Sequence, residues 1–263
     1  KFDPAVTGRP YETECCFDIS GSNGGIFTHC SAWSAKVGYR LVTGQEVDRF
    51  VLDDCVAVET VDGLILDARE AGGGDVTLTK SHFNNRDSGF NLYGLSDVRA
   101  DMCLMYNVDS QSGMPGYRDM VLSDCSGVSL TENLFWFGGN IRRECIVLEE
   151  ACSEIQLDNN HFACPAAVGL RIDERASGVS GAHNSFGAEV KQDIIGRFQD
   201  LAPAGTGATP APFVLPPNLA LDAVACSSGT STATVAARAF DGKANTTWTG
   251  EKGLGAGNQW LEA

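Results

Sequence analysis

Short β-rich segments recur along the chain, with apolar and polar side chains alternating in each. With the first position of every segment set to zero, the starts fall at Gly25, Phe50, Val76, Val98, Val128, Ile155 and Val179, at intervals of 25, 26, 22, 30, 27 and 24 residues. Position +2 then reads Phe27, Leu52, Leu78, Ala100, Leu130, Leu157 and Gly181. Position +5 reads Cys30, Cys55, Ser81, Cys103, Asn133, Asn160 and Asn184, and position +7 reads Ala32, Ala57, Phe83, Met105, Phe135, Phe162 and Phe186. Three columns that agree in one register mark a structural repeat.

Alternation at 0 and +2 places those side chains on one face of a strand. The small residue at +5 is expected where the chain turns, so that +7 points inward again and the Phe column fills the interior. Stacked in register, the Asn side chains can hydrogen-bond from one rung to the next. A second strand follows about fourteen residues after each start, seen in Gly38-Tyr-Arg-Leu41, Gly63-Leu-Ile-Leu66, Gly89-Phe-Asn-Leu92 and Gly169-Leu-Arg-Ile172. One coil cannot bury its apolar face alone, but a stack of them can. A leucine-rich repeat lacks its Leu-x-x-Leu-x-Leu framework here, a sandwich gives no Asn column at fixed offset, and helical repeats need a 3.6 period that these segments lack.

The pattern resembles the right-handed parallel β-helix of pectate-lyase-like enzymes and phage tailspikes, over residues 25–195. The expectation is an all-β chain: a lead-in or partial coil over 1–24, a parallel β-helix of about seven coils over 25–196, a Pro/Ala/Gly linker over 197–217, and a further segment over 218–263. In that last segment Asn218-Leu-Ala220, Ser227-Ser228, Ala239-Phe-Asp-Gly242, Thr247-Trp248-Thr249 and Gln259-Trp-Leu-Glu262 resemble the opening of a discoidin-like (coagulation factor V/VIII C-type) domain. That resemblance implies an incomplete β-sandwich-like segment with Trp248 and Trp260 as core, in a family many of whose members bind glycans or lipid headgroups. Asn245-Thr-Thr247 matches a glycosylation sequon, but reads first as an ordinary turn.

Charge narrows the partners. A formal net charge of −15, with 19 basic residues scattered among 34 acidic ones, argues against nucleic acid and anionic membranes, and no stretch is apolar enough for membrane insertion. A neutral glycan fits, whereas a polyanionic one needs a local basic patch or a bridging cation. Ca²⁺ stays open in that role, although no motif calls for it or for any other cofactor. The opening Lys1-Phe2-Asp3-Pro4 carries neither an initiator Met nor a signal peptide, which suggests a processed or partial piece.

Ten cysteines suggest a disulfide framework at first. Cys30, Cys55 and Cys103 nevertheless share a column with Ser and Asn, and read as small stacking thiols. Cys15-Cys16 and the Cys152/Cys164 spacing lack a zinc pattern, so no metal ligands are assigned. Free thiols suit folding in a reducing cytoplasm.

The outward +3 column reads Thr28, Asp53, Thr79, Asp101, Thr131, Asp158 and Ala182. Asp53, Asp101 and Asp158 are the candidate catalytic carboxylates, with Asp54 and Glu132 one position further on; the competing reading is a solvated face. Thr79, Arg99, Tyr117, Thr131 and Trp136 are candidate carbohydrate contacts, the aromatics as stacking platforms alongside Trp33, Tyr93 and Tyr106. Arg99 and Arg171 are candidate bases for an elimination. The four histidines, His29, His82, His161 and His183, form no recognisable triad. The longest insertion, 109–118, marks the first place to look for a functional loop.

Three functions remain open on this reading. The first is a phage tailspike- or fibre-like protein, on the surface of a virion among other virion proteins, forming a homotrimer and contacting host surface polysaccharide. The second is a secreted polysaccharide lyase or glycoside hydrolase with an appended carbohydrate-binding module. The third is a structural or adhesive β-helix without catalysis.

Overall fold

The computed structural model describes residues 13–106, 117–136 and 142–201, and the backbone of 226–227 and 261–262. The chain divides into two units, 1–210 and 211–263. Among the described residues the first unit is all-β and coils as a parallel solenoid of about seven turns. Each turn contributes to three parallel ladders, the second and third joined into a single sheet by the long strands Val56–Asp67 and His82–Tyr93.

The first ladder has eight strands, from Gly24–Thr28 to Gln199–Asp200. Its register runs Gly25↔Phe50↔Val76↔Val98↔Val128↔Ile155↔Val179, the column of starts read from the sequence. The last strand extends the stack into residues expected to belong to the linker. At the other end Cys15–Asp18 pairs with Val37–Val42, so the lead-in contributes a partial coil.

The second ladder carries the +7 column in register, Ala32↔Ala57↔Phe83↔Met105↔Phe135↔Phe162↔Phe186. Phe135 stacks on Phe162 with centroids 4.6 Å apart and rings 3° from parallel, and Phe162 on Phe186 at 4.5 Å and 9°. Where the column is alanine, in the first two coils, Tyr39 and Phe27 fill the interior. Tyr39 stacks on Phe17 at 4.9 Å and donates its hydroxyl to the Cys30 carbonyl at 2.8 Å. The third ladder lays Tyr39↔Leu64↔Phe90↔Met120↔Ile146↔Leu170 inward, completing one continuous apolar core.

The turn between the first and second ladders falls one residue earlier than expected. Position +4, not +5, turns the chain: His29, Asp54, Lys80, Met102, Glu132, Asn159 and His183 all have φ between 49° and 58°. Left-handed backbone at every rung redirects the chain and swings +5 inward, where Cys55, Ser81, Cys103, Asn133 and Asn160 are buried. There the column forms a hydrogen-bonded stack. The side-chain amides of Asn133, Asn160 and Asn184 donate to the carbonyls of Ala100, Leu130 and Leu157, the +2 residues one coil back. The thiols of Cys55 and Cys103 make the same bond to Phe27 and Leu78. These cysteines are stacking thiols, as the register implies, and all nine described cysteines are free.

In the second unit, Cys226–Ser227 pairs antiparallel with Leu261–Glu262. The discoidin-like framework, Trp248, Trp260 and the sequon otherwise lie outside the described residues, as do positions 109–116 of the insertion.

Candidate functional site

Strand alternation turns +1 and +3 of the first ladder outward. The +3 side chains form one row, Thr28↔Asp53↔Thr79↔Asp101↔Thr131↔Asp158↔Ala182, so hydroxyl and carboxylate alternate up the solenoid. All are half-buried except Thr28, which is exposed. Several are engaged within the face: Thr79 Oγ1 donates to Asp53 Oδ1 at 2.8 Å, Gln156 Nε2 to Asp158 Oδ2 at 2.6 Å, and the Ala182 amide to Asp158 Oδ1 at 2.8 Å. Ser129 and Thr131 hydroxyls lie 3.2 Å apart, and Arg99 is exposed beside this row. Asp53, Asp101 and Asp158 are two rungs apart, about 10 Å at the usual strand spacing, at or beyond the roughly 6.5–9.5 Å span of an inverting pair. The row forms a regular, hydrogen-bonded polar surface. Asp54 and Glu132 both occupy the left-handed turn column, where Asp54 faces His29 at 3.3 Å.

The aromatic candidates lie elsewhere. Trp136 is half-buried on the second ladder, in register with Tyr106 and Ala163, beyond the left-handed turn at Glu132 and therefore on the next face. Tyr117 is 2% exposed and not a surface platform; it directly precedes the third-ladder strand Arg118–Ser123. Trp33 is exposed on the second ladder, and Tyr93 sits on the third with the Arg69 guanidinium 4.7 Å from its ring centre.

A second polar surface, on the third ladder, is absent from the sequence reading. One column runs Asp62↔Ser88↔Arg118↔Glu144. Ser88 Oγ donates to Asp62 Oδ1 at 2.5 Å, and Asn91 Nδ2 to Ser88 Oγ at 2.6 Å. Burial pushes the Asp62 carboxyl above its ordinary value, against the opposing pull of the Ser88 bond. Glu144, 3% exposed, meets Arg118 at 3.3 Å and Arg143 and Arg171 at 3.1 Å each, so Arg171 is engaged in an ion pair rather than poised as a free base. Burial also lowers His82, on the second ladder. Asp62 and Ser88 sit immediately before the Gly of the second-strand motif, and Arg118 and Glu144 before Asp119 and Cys145, which replace that Gly and hide the column.

At the corner entering the first ladder, Glu46, Asp48, Asp75 and Asp97 help line an open cleft of about 660 Å³. Its walls are polar and acidic, which suits hydroxyl-rich or cationic groups more than anions.

No family model, curated protein or solved structure matches the chain.

Proposed function

We propose that this chain is a tailspike- or fibre-like virion protein whose solenoid contacts host surface polysaccharide along the outward face of the first ladder. The observation that carries the reading is the straight +3 row, where Thr79, Asp101, Thr131 and Asp158 follow one another rung by rung. An extended polymer presents hydroxyls at repeating intervals, and alternating carboxylates and hydroxyls accept and donate to them in turn. Thr79, Arg99 and Thr131 are contacts on this face; Asp53, Asp101 and Asp158 anchor sugar hydroxyls. In this reading Trp136 bounds the contact from the adjoining face. The chain assembles as a homotrimer with other virion proteins, and the discoidin-like segment adds a second glycan contact.

The test is binding of the full chain to a glycan array and to host polysaccharide. Asp101→Ala with Asp158→Ala should lower binding at least tenfold, about 1.4 kcal/mol, with the circular dichroism spectrum unchanged. Full binding by the folded double variant would sink the site assignment, and a monomer at micromolar concentration would count against the trimer.

One observation favours the second reading, a polysaccharide lyase or glycoside hydrolase. Asp62 combines a carboxyl raised by burial with a neighbouring hydroxyl, Ser88, and a neighbouring amide, Asn91, an environment used by general acids. Reducing-end release or unsaturated-uronate absorbance that disappears in Asp62→Asn would establish it and move the reaction to the third ladder.

A further inference from the structure

Inside the solenoid, where the second ladder turns into the third, runs the column Gly38, Gly63, Gly89, Asp119, Cys145 and Gly169. Glycine is required there by close approach. A Cβ on Gly63 would lie 2.4 Å from the Gly89 carbonyl oxygen and 2.7 Å from the Phe83 ring, and one on Gly169 would lie 2.5 Å from the Phe186 ring. Between Gly38 and Gly169 the two adjacent rungs of Asp119 and Cys145 replace the glycine, and both carry side chains able to ligate metal. Cys164, from the next coil, stands beside them, its sulfur 3.5 Å from that of Cys145. Ligand atoms of all three residues lie within 4.8 Å of one another, and all three residues are buried, Asp119 and Cys145 at 0% exposure.

We infer that Asp119, Cys145 and Cys164 form an interior site for a thiophilic divalent cation, Zn²⁺ by preference. Two thiolates on a tetrahedral zinc, each about 2.3 Å from the ion, stand roughly 3.8 Å apart, close to the separation seen here and far from the roughly 2.05 Å of a disulfide. Two sulfurs and one carboxylate oxygen select zinc over calcium or magnesium, which take all-oxygen shells. An ion here ties the third-ladder strands at Asp119 and Cys145 to the second-ladder strand ending beside Cys164, bracing the corner across three coils. The widely separated ligands, 119, 145 and 164, leave no short-spacing motif in the sequence. Binding displaces the two thiol protons, so affinity falls as pH drops.

The test uses the full chain, purified with reductant and then stripped with chelator. Adding Co²⁺ should give the d–d bands of a tetrahedral ion and a thiolate charge-transfer band, saturating near one equivalent and reversed by Zn²⁺. Cys164→Ser and Asp119→Asn should each weaken binding by at least about the tenfold that loss of even an outer-shell partner causes, while Cys125→Ala, a core thiol outside the site, should leave it unchanged. The wild-type spectrum reports thiolate ligation even if a variant fails to fold. Absence of the bands in wild-type protein with free thiols would overturn the site, as would their persistence in both ligand variants or a Cys145–Cys164 disulfide found by mass spectrometry.

Discussion

Asn133 sends both its backbone N–H and its side-chain amide to a single atom, Asn160 Oδ1, at 3.1 and 3.0 Å. Asn160 repeats the arrangement toward Asn184, at 3.1 and 2.9 Å. At the upstream end Asn133 Oδ1 accepts the Cys103 amide at 3.0 Å, and two coils earlier Ser81 Oγ accepts the Cys55 amide at 3.2 Å. The column therefore satisfies the backbone donors of Cys55, Cys103, Asn133 and Asn160 through the side-chain oxygen of the next rung, a Ser hydroxyl or an Asn carbonyl.

Asn160→Ala removes that acceptor from a fully buried position and strands two donors of Asn133. At about 1–3 kcal/mol for each unsatisfied buried group, urea unfolding should show a loss of about 2–6 kcal/mol. Cys103→Asn should be tolerated within about 1 kcal/mol, the scale of a near-isosteric core change, because the amide can donate to the Leu78 carbonyl as the thiol does. Equal losses in the two variants would refute the ladder as the source of stability.

Phe162 is the centre of the ring stack, with Phe135 on one side and Phe186 on the other. Phe162→Ala should cost about 3–5 kcal/mol, including the roughly 0.5–1.5 kcal/mol that each aromatic pair adds. Phe186→Ala, at a half-buried position with one stacked neighbour, should cost measurably less by the same denaturation measurement.

The left-handed turn column offers a stabilising change. Met102 holds φ 52° and is 45% exposed, in a conformation that disfavours ordinary side chains by about 1–2 kcal/mol. Asn tolerates this conformation better. Met102→Asn should raise the melting temperature by a few degrees, about 2–4 °C for each kcal/mol gained in a chain of this size. Met102→Val, β-branched at the same φ, should lower it.

The fold was legible because each coil obeys the same columns, so a stacking constraint is written several times over. Phe83, Phe135 and Phe162 had to share a register for any of them to be buried. The position of the turn was not legible, since its residues, among them His, Asp, Lys, Met and Glu, share no chemistry. Their backbone is imposed by the ladders on either side. Misplacing that turn also hid that Trp136 lies on a different face from the Asp/Thr row. Asp62, Ser88, Arg118 and Glu144 were missed for a related reason: their column is marked by a following Gly in Asp62 and Ser88 only, and the replacements at Asp119 and Cys145 erase the marker where the charged residues stand.

Asp62 gives a pH test that separates the third-ladder cluster from the other carboxylates. Burial raises its folded-state pKa above the ordinary carboxyl value of 3.8, so the folded protein holds this proton more tightly than the unfolded chain does. Its favourable contribution is fully present below that value and is lost as pH rises through the folded pKa. Asp18 behaves oppositely: the hydrogen-bonded Arg40 guanidinium holds its carboxyl below the usual range, and its contribution is lost as pH falls. Asp62→Asn keeps an oxygen to accept from Ser88 and Asn91 but can never ionise. The variant should therefore be more stable than wild type at pH 7, and the gap should close as pH is lowered past the ordinary carboxyl range. Urea midpoints at several pH values, read for both proteins in parallel, check this. A difference that stays constant with pH would mean that Asp62 titrates as an ordinary surface carboxylate, and would remove the main support for general-acid chemistry on the third ladder.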